Sequence, residues 1–212
     1  MNNLKLLGLT VGVGSLVLAG SAVADFTGMQ YEEVENGMAG MTTYRIYAGV
    51  DGELDAVYGD EANSLLVTSD SGFYQNSFGG YNAPSAALFG FFPSLEFDSF
   101  VSINLTDDAG DAMLDIGIDW TGFEAGGSIS TDNGTWFATP SDAQVFAVDG
   151  RVMVGQFTVN DGDHVYGSMN FQGKNADLTN WNADGIAFDT APAPGALALL
   201  GLAGIAARRR RK

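Results

Sequence analysis

Between residues 25 and 190 no stretch keeps an amphipathic period near 3.6 residues for three turns, and this narrows the available folds more than any other feature. Short alternating runs take its place. In "MLDIGIDW", Leu114, Ile116, Ile118 and Trp120 share one side, with Met113, Asp115, Gly117 and Asp119 on the other. That pattern predicts a half-buried strand whose acidic side is wet. "DSFVSINLT" places Val101, Ile103 and Leu105 together, and "TTYRIYAGV", "LDAVYGD", "SLLVTS", "AQVFAV", "RVMVGQFTV" and "VYGSMNFQ" are equally β-rich. Turn clusters such as Asp51-Gly52, Asp70-Ser71-Gly72 and Asn160-Asp161-Gly162-Asp163 separate them, and Asp149-Gly150 between two runs is a hairpin signal. The best helical candidate, "NAPSAALFGFF", is held to about two turns by Gly90 and Pro93, and "QNSFGGYNAPS" reads as a long loop. No fixed-period repeat is present, which disfavours a propeller or solenoid. The expectation is an all-β fold, one jelly-roll-like β-sandwich over residues 25–190.

That segment is acidic. Only Arg45, Arg151 and Lys174 stand among its twenty-six Asp and Glu, a net −23 against −17 for the whole chain. Such a surface repels nucleic acid and anionic lipid, so no nucleic-acid partner is expected. With no cysteine in the chain, the fold is held by its core and not by disulfides.

The flanking segments differ in composition. Lys5, the apolar residues 6–19 and the small-residue site Ala22-Val23-Ala24 read as a signal peptide over residues 1–24, cut by signal peptidase after Ala24. At the other end, residues 195–207 are apolar or small throughout and stop at Arg208, Arg209, Arg210, Arg211 and Lys212. Thirteen helical residues rise ~20 Å against a hydrocarbon core of ~30 Å, a marginal anchor whose cationic end acts as a cytoplasmic stop.

Residues 191–212, with Pro192, Pro194 and Gly195 ahead of the apolar span and arginines behind it, resemble the PEP-CTERM sorting signal of exported bacterial proteins. The resemblance implies transient anchoring in the membrane and removal by an exosortase-like transpeptidase. Ala193 stands where that family usually has glutamate, so retention as an anchor is the alternative. A looser likeness to uncharacterised exported proteins of planctomycete-like bacteria rests on "FDSFVSI", "TWFATP" and "GRVMVGQFT" and implies no activity.

The chemistry open to the chain is limited. His164 is the sole histidine, no G-x-S-x-G elbow or cysteine nucleophile exists, and the one G-x-G lies in the leader, so no catalytic residue is assigned. A glycoside hydrolase, needing only two carboxylates, is a third and trailing reading. Asp107, Asp108 and Asp111 are the best candidate for a weak calcium site, ahead of Asp161 with Asp163 and of Asp51, Glu53 and Asp55. "GFYQNSFGGYN" offers Tyr74 and Tyr81, with Phe73 and Phe78, as rings that can stack on sugars beside amides. The leading expectation is an exported structural or interaction protein of the cell surface or matrix. The alternative is a carbohydrate-binding module for surface polysaccharide, with or without calcium.

Overall fold

The computed structural model describes residues 14–16 and 26–192. Its strands, in chain order, are β1 (Gly14–Leu16), β2 (Phe26–Val34), β3 (Met41–Val50), β4 (Gly52–Gly59), β5 (Leu65–Ser69) and β6 (Phe100–Val101). These are followed by β7 (Leu114–Ile116), β8 (Ile129–Thr131), β9 (Gly134–Phe137), β10 (Arg151–Asn160), β11 (Val165–Asn175) and β12 (Asn180–Asp189). All pairings are antiparallel and build two sheets, so the described chain is all-β. The first sheet runs β1-β2-β3-β10-β6. In the second, β11 pairs along one edge with β4 and β5 and along the other with β12, while β9 and β7 extend β4 and β8 extends β5.

The core lies between the sheets. Ile46, Ala48 and Val50 of β3 and Val152, Val154, Phe157 and Val159 of β10 face Leu54, Val57, Leu65, Val67, Trp136, Phe171 and Trp181. Strict alternation does not explain this set. In β10 the inward residues switch from even to odd numbers across a register shift between Met153 and Gly155, and β4 switches in the same way between Leu54 and Val57. A bulge inserts one unpaired residue and turns the rest of the strand over, which keeps an apolar face on the core.

Asp149 and Gly150 form the expected turn, with φ of 53° and 76°, and Val148 and Arg151 exchange backbone hydrogen bonds of 2.9 and 3.2 Å. Left-handed backbone at two consecutive positions is what a tight hairpin demands, and Asp-Gly adopts it at little cost. Three expectations are corrected. "AQVFAV" forms a short 3-10 turn, Ala143–Val145, in which Asp142 accepts a hydrogen bond from the Gln144 N–H. "NAPSAALFGFF" leads into two 3-10 turns, Ala86–Leu88 and Pro93–Phe97, and not a two-turn α-helix.

The third correction concerns "MLDIGIDW". Leu114 and Ile116 point to solvent, 56% and 64% exposed, while Met113 packs partly against the core. Asp115 takes the inward position because two donors require an acceptor there: Tyr81 Oη at 2.8 Å and Trp120 Nε1 at 3.0 Å. A buried donor left without a partner costs about 1–3 kcal/mol, comparable with leaving an aliphatic side chain in water. Gly117, at φ 77° with the Asn133 carbonyl 2.3 Å from where a Cβ would lie, ends the strand, and Trp120 beyond it is buried.

Candidate functional site

The exposed face of the second sheet carries the most coherent surface of the described residues. Val57 and Trp136 are opposite one another and face the core, so their neighbours face outward. One outward row is Leu114, Phe137, Ala56, Gln172 and Asn182, each residue in register with the next across β7, β9, β4, β11 and β12. The adjacent row is Ile116, Thr135 and Tyr58. An aliphatic edge thus passes through two half-buried rings, Phe137 and Tyr58, to exposed amides.

Tyr58 is fixed in place. Its hydroxyl donates to Asp184, and Asn182 Nδ2 donates to the same carboxylate at 2.7 Å. Burial first, then that hydrogen bond, raises the Tyr58 pKa far above the ordinary phenol value, so the hydroxyl stays protonated. A shallow depression of about 200 Å³ opens here, lined by Tyr58, Gly59, Ile116, Asn133, Gly134 and Thr135. It is smaller than the ~300–1,000 Å³ of pockets that enclose small ligands. The surface therefore suits a chain or face laid across it better than an engulfed molecule.

Beyond this face, residues 138–147 run beside β4. The Ala138 N–H donates to the Asp55 carbonyl at 2.9 Å, the Ser141 N–H to Glu53 Oε2 at 3.0 Å and the Ala147 N–H to the Gly52 carbonyl at 2.8 Å. Glu53 and Asp55 are both buried. Burial first and the neighbouring Glu53 carboxylate second push Asp55 up to about 6, against a smaller opposing pull from Lys174. Glu53 and Asp55 thus form a buried pair of acids.

Asp107, Asp108 and Asp111 do not converge. Asp107 Oδ1 accepts from the Ala109 N–H and Asp111 Oδ1 from the Met113 N–H, each at 2.9 Å, so the two carboxylates fold their own turns. Among the described residues no three acidic or histidine side chains are placed to hold a metal ion. Tyr81 stacks on Trp120 at 4.6 Å between ring centroids and 7° between planes, and Tyr74 is half-buried with its hydroxyl accepting from Asn76 Nδ2 at 3.2 Å. Trp136 and Trp181 are core residues. Tyr81 therefore gives one ring face to packing. His164 stands at the entry to β11, its backbone N–H donating to Asp70 Oδ2 at 2.8 Å. Pro192 is exposed at the end of the described chain; Ala22, Ala24, Pro194, Gly195, Arg208, Arg209, Arg210 and Arg211 lie outside the described residues.

The sequence reading missed Tyr58, Phe137, Gln172, Asn182 and Asp184. The available signal was the Leu114 and Ile116 alternation, which marked the right strand and assigned its aliphatic side inward. No family model matches the chain, and no curated protein or solved structure is significantly similar to it. Among the described residues no helix is long and apolar enough to cross a membrane.

Proposed function

We propose that this is an exported interaction protein of the cell surface or extracellular matrix, working by binding through the outer face of its second sheet. The observation that carries the reading is the exposed pair Leu114 and Ile116 beside the half-buried rings of Phe137 and Tyr58, an apolar surface on a strongly acidic domain. Exposed aliphatic and aromatic side chains grouped on one rigid sheet favour a partner that covers them. The leader and the arginine-ended tail support delivery to the envelope: the first by export, the second by a PEP-CTERM-like stop that is later cut or kept. The finer assignment of the sandwich as a jelly roll belongs to this proposal. It is supported by late strands interleaved with early ones, β10 between β3 and β6 and β11 between β4 and β12.

A second reading, a carbohydrate-binding module, draws on the same face, where Tyr58 and Phe137 adjoin the exposed amides of Gln172 and Asn182. Neutral polysaccharide chains present both apolar ring faces and hydroxyls to such a surface.

Cell fractionation tests the proposal with three chains: wild type, Leu114→Asp/Ile116→Asp, and a tail variant with Arg208, Arg209, Arg210, Arg211 and Lys212 all changed to serine. Wild type is expected in the membrane and, after loss of its tail, on the washed cell surface. The double aspartate variant should fold normally, since exposed substitutions cost within about 0.5 kcal/mol, yet shift to the medium at least about tenfold. The serine variant should reach the medium with its tail intact. Equal distribution of wild type and the aspartate variant removes the binding face; equal release of wild type and the serine variant, both with full tails, removes the sorting tail.

A further inference from the structure

Residues 71–95 contain no charged side chain, although the chain carries twenty-six acids and the segments on either side resume them at Asp70 and Glu96. This uncharged stretch does not simply sink into the core. Phe91 is 78% exposed and Phe78 55%, and Phe78 stacks on the half-buried Phe92 with ring centroids 4.0 Å apart and planes 25° apart. The domain therefore presents a tip of phenylalanine on its one long neutral stretch.

The tip is prebuilt. Asn76 Oδ1 accepts from the Phe78 N–H at 3.0 Å and the Asn76 carbonyl from the Gly79 N–H at 2.9 Å. The N–H groups of Phe91 and Phe92 both reach the Leu88 carbonyl, at 3.0 and 2.9 Å. Asn76 Nδ2 donates to Ser94 Oγ at 3.0 Å and joins the two loops. Beneath them Asp98, fully buried, accepts from the Asn76 N–H at 2.6 Å, and a Cβ at Gly79 would lie 1.6 Å from Asp98 Oδ2. Rings held this way are presented to a partner with little ordering left to do.

We propose that Phe78, Phe91 and Phe92 dip into the interfacial layer of a zwitterionic lipid surface, steadying the domain against a bilayer. Charge and size select this occupant. A domain of this negative charge is repelled by anionic lipid, whereas a neutral tip meets a zwitterionic surface without penalty. A second copy is disfavoured because two part-exposed rings fall far short of the ~800 Å² per partner of a standard interface, and the copies repel. A glycan needs amide partners, and Asn76, the amide bonded to the Phe78 N–H, spends its donors on Ser94 and Tyr74 and its oxygen on Phe78. Insertion of so few rings is weak by itself, about tenfold in partition for each, and gives stable attachment only beside another anchor. The proposal is independent of the sheet face described above, which lies on other residues.

The absence of cysteine allows one dye per chain. Gly90 is exposed, has an ordinary backbone conformation and has no atom within 4 Å of a built Cβ, so Gly90→Cys adds a label at the tip without strain. The full chain carrying an environment-sensitive dye there is mixed with phosphatidylcholine vesicles, with a dye at Asp132→Cys, on an exposed turn, as reference. The expected result is a blue shift and protection from iodide at position 90 alone, lost in Phe78→Ser/Phe91→Ser, whose melting temperature stays close to that of the parent. No shift at position 90 overturns the proposal. So do equal shifts at 90 and 132, which mean general adsorption, and a shift that follows protein concentration without vesicles, which means self-association.

Discussion

Between pH 5 and pH 8 the melting temperature of the protein is expected to fall by an amount on the order of 10 °C. Asp98 is the main cause. Burial pushes its carboxyl up to about 7, outweighing the backbone N–H groups of Asn76, Ser99 and Gly80 that favour the charged form. In the unfolded chain the same carboxyl titrates near 3.8. Over the interval between those values the folded state holds a proton that the unfolded state has lost, so stability falls as pH rises and levels off above about 7. From pH 5 to about 7 this amounts to about two units, or about 3 kcal/mol, an upper figure for one group. Asp55, pushed up to about 6 by burial and Glu53, acts with the same sign over a lower window, and self-repulsion of the acidic surface adds to both.

Asp98→Asn isolates the effect. The amide keeps an oxygen for the Asn76 N–H and cannot ionise, so the variant should show a much flatter slope between pH 5 and 8 and exceed wild type at pH 8. Thermal melts at fixed ionic strength decide the matter. Parallel slopes for the two proteins would mean that Asp98 is charged at little cost in the folded state.

Trp136→Ala is expected to be the most damaging single core substitution. Trp136 is fully buried on β9, with Trp120 6.2 Å away between centroids, and its Nε1 donates to the Ser102 carbonyl at 3.3 Å. Removing so large a ring costs about 3–5 kcal/mol through lost transfer energy and the cavity left behind. Against a total of ~5–15 kcal/mol for a domain, that is enough to unfold a marginal protein. Trp136→Phe keeps most of the volume and loses the donor, for about 1–2 kcal/mol. Urea unfolding should rank the midpoints wild type, Phe variant, Ala variant. An Ala midpoint matching wild type would show that β9 does not close the core.

The sequence was most legible where local chemistry decides the outcome. Asp149-Gly150 forms its turn because two left-handed positions admit few residues, and β3, β4, β5, β10 and β11 follow from β-branched and aromatic runs. It was least legible where tertiary contacts decide. Whether Leu114 or Asp115 faces inward depends on Tyr81 and Trp120 needing an acceptor, and nothing within "MLDIGIDW" records that need. β2 and β12 escaped notice because "FTGMQYEEV" and "NWNADGIAFD" mix glycine and acids into their runs; they gain stability from long neighbours, β3 and β11, more than from propensity. The candidate face has the same character. Leu114, Phe137, Ala56, Gln172 and Asn182 come from five strands spread between residues 56 and 182, and only register brings them into one row.

Protection of that row in place is the most direct measure of the central claim. Leu114→Cys puts one thiol in a chain without others, at an exposed edge position, and leaves Ile116, Tyr58 and Phe137 untouched. Maleimide labelling of this thiol is followed in the purified protein and in protein bound to washed cells, with Asp132→Cys as the reference for general access. Fast labelling is expected at both positions in solution and, on cells, at least about tenfold slower labelling at position 114 alone, as for a residue covered at an interface core. Unchanged labelling at position 114 on cells, with position 132 equally open, would contradict the claim.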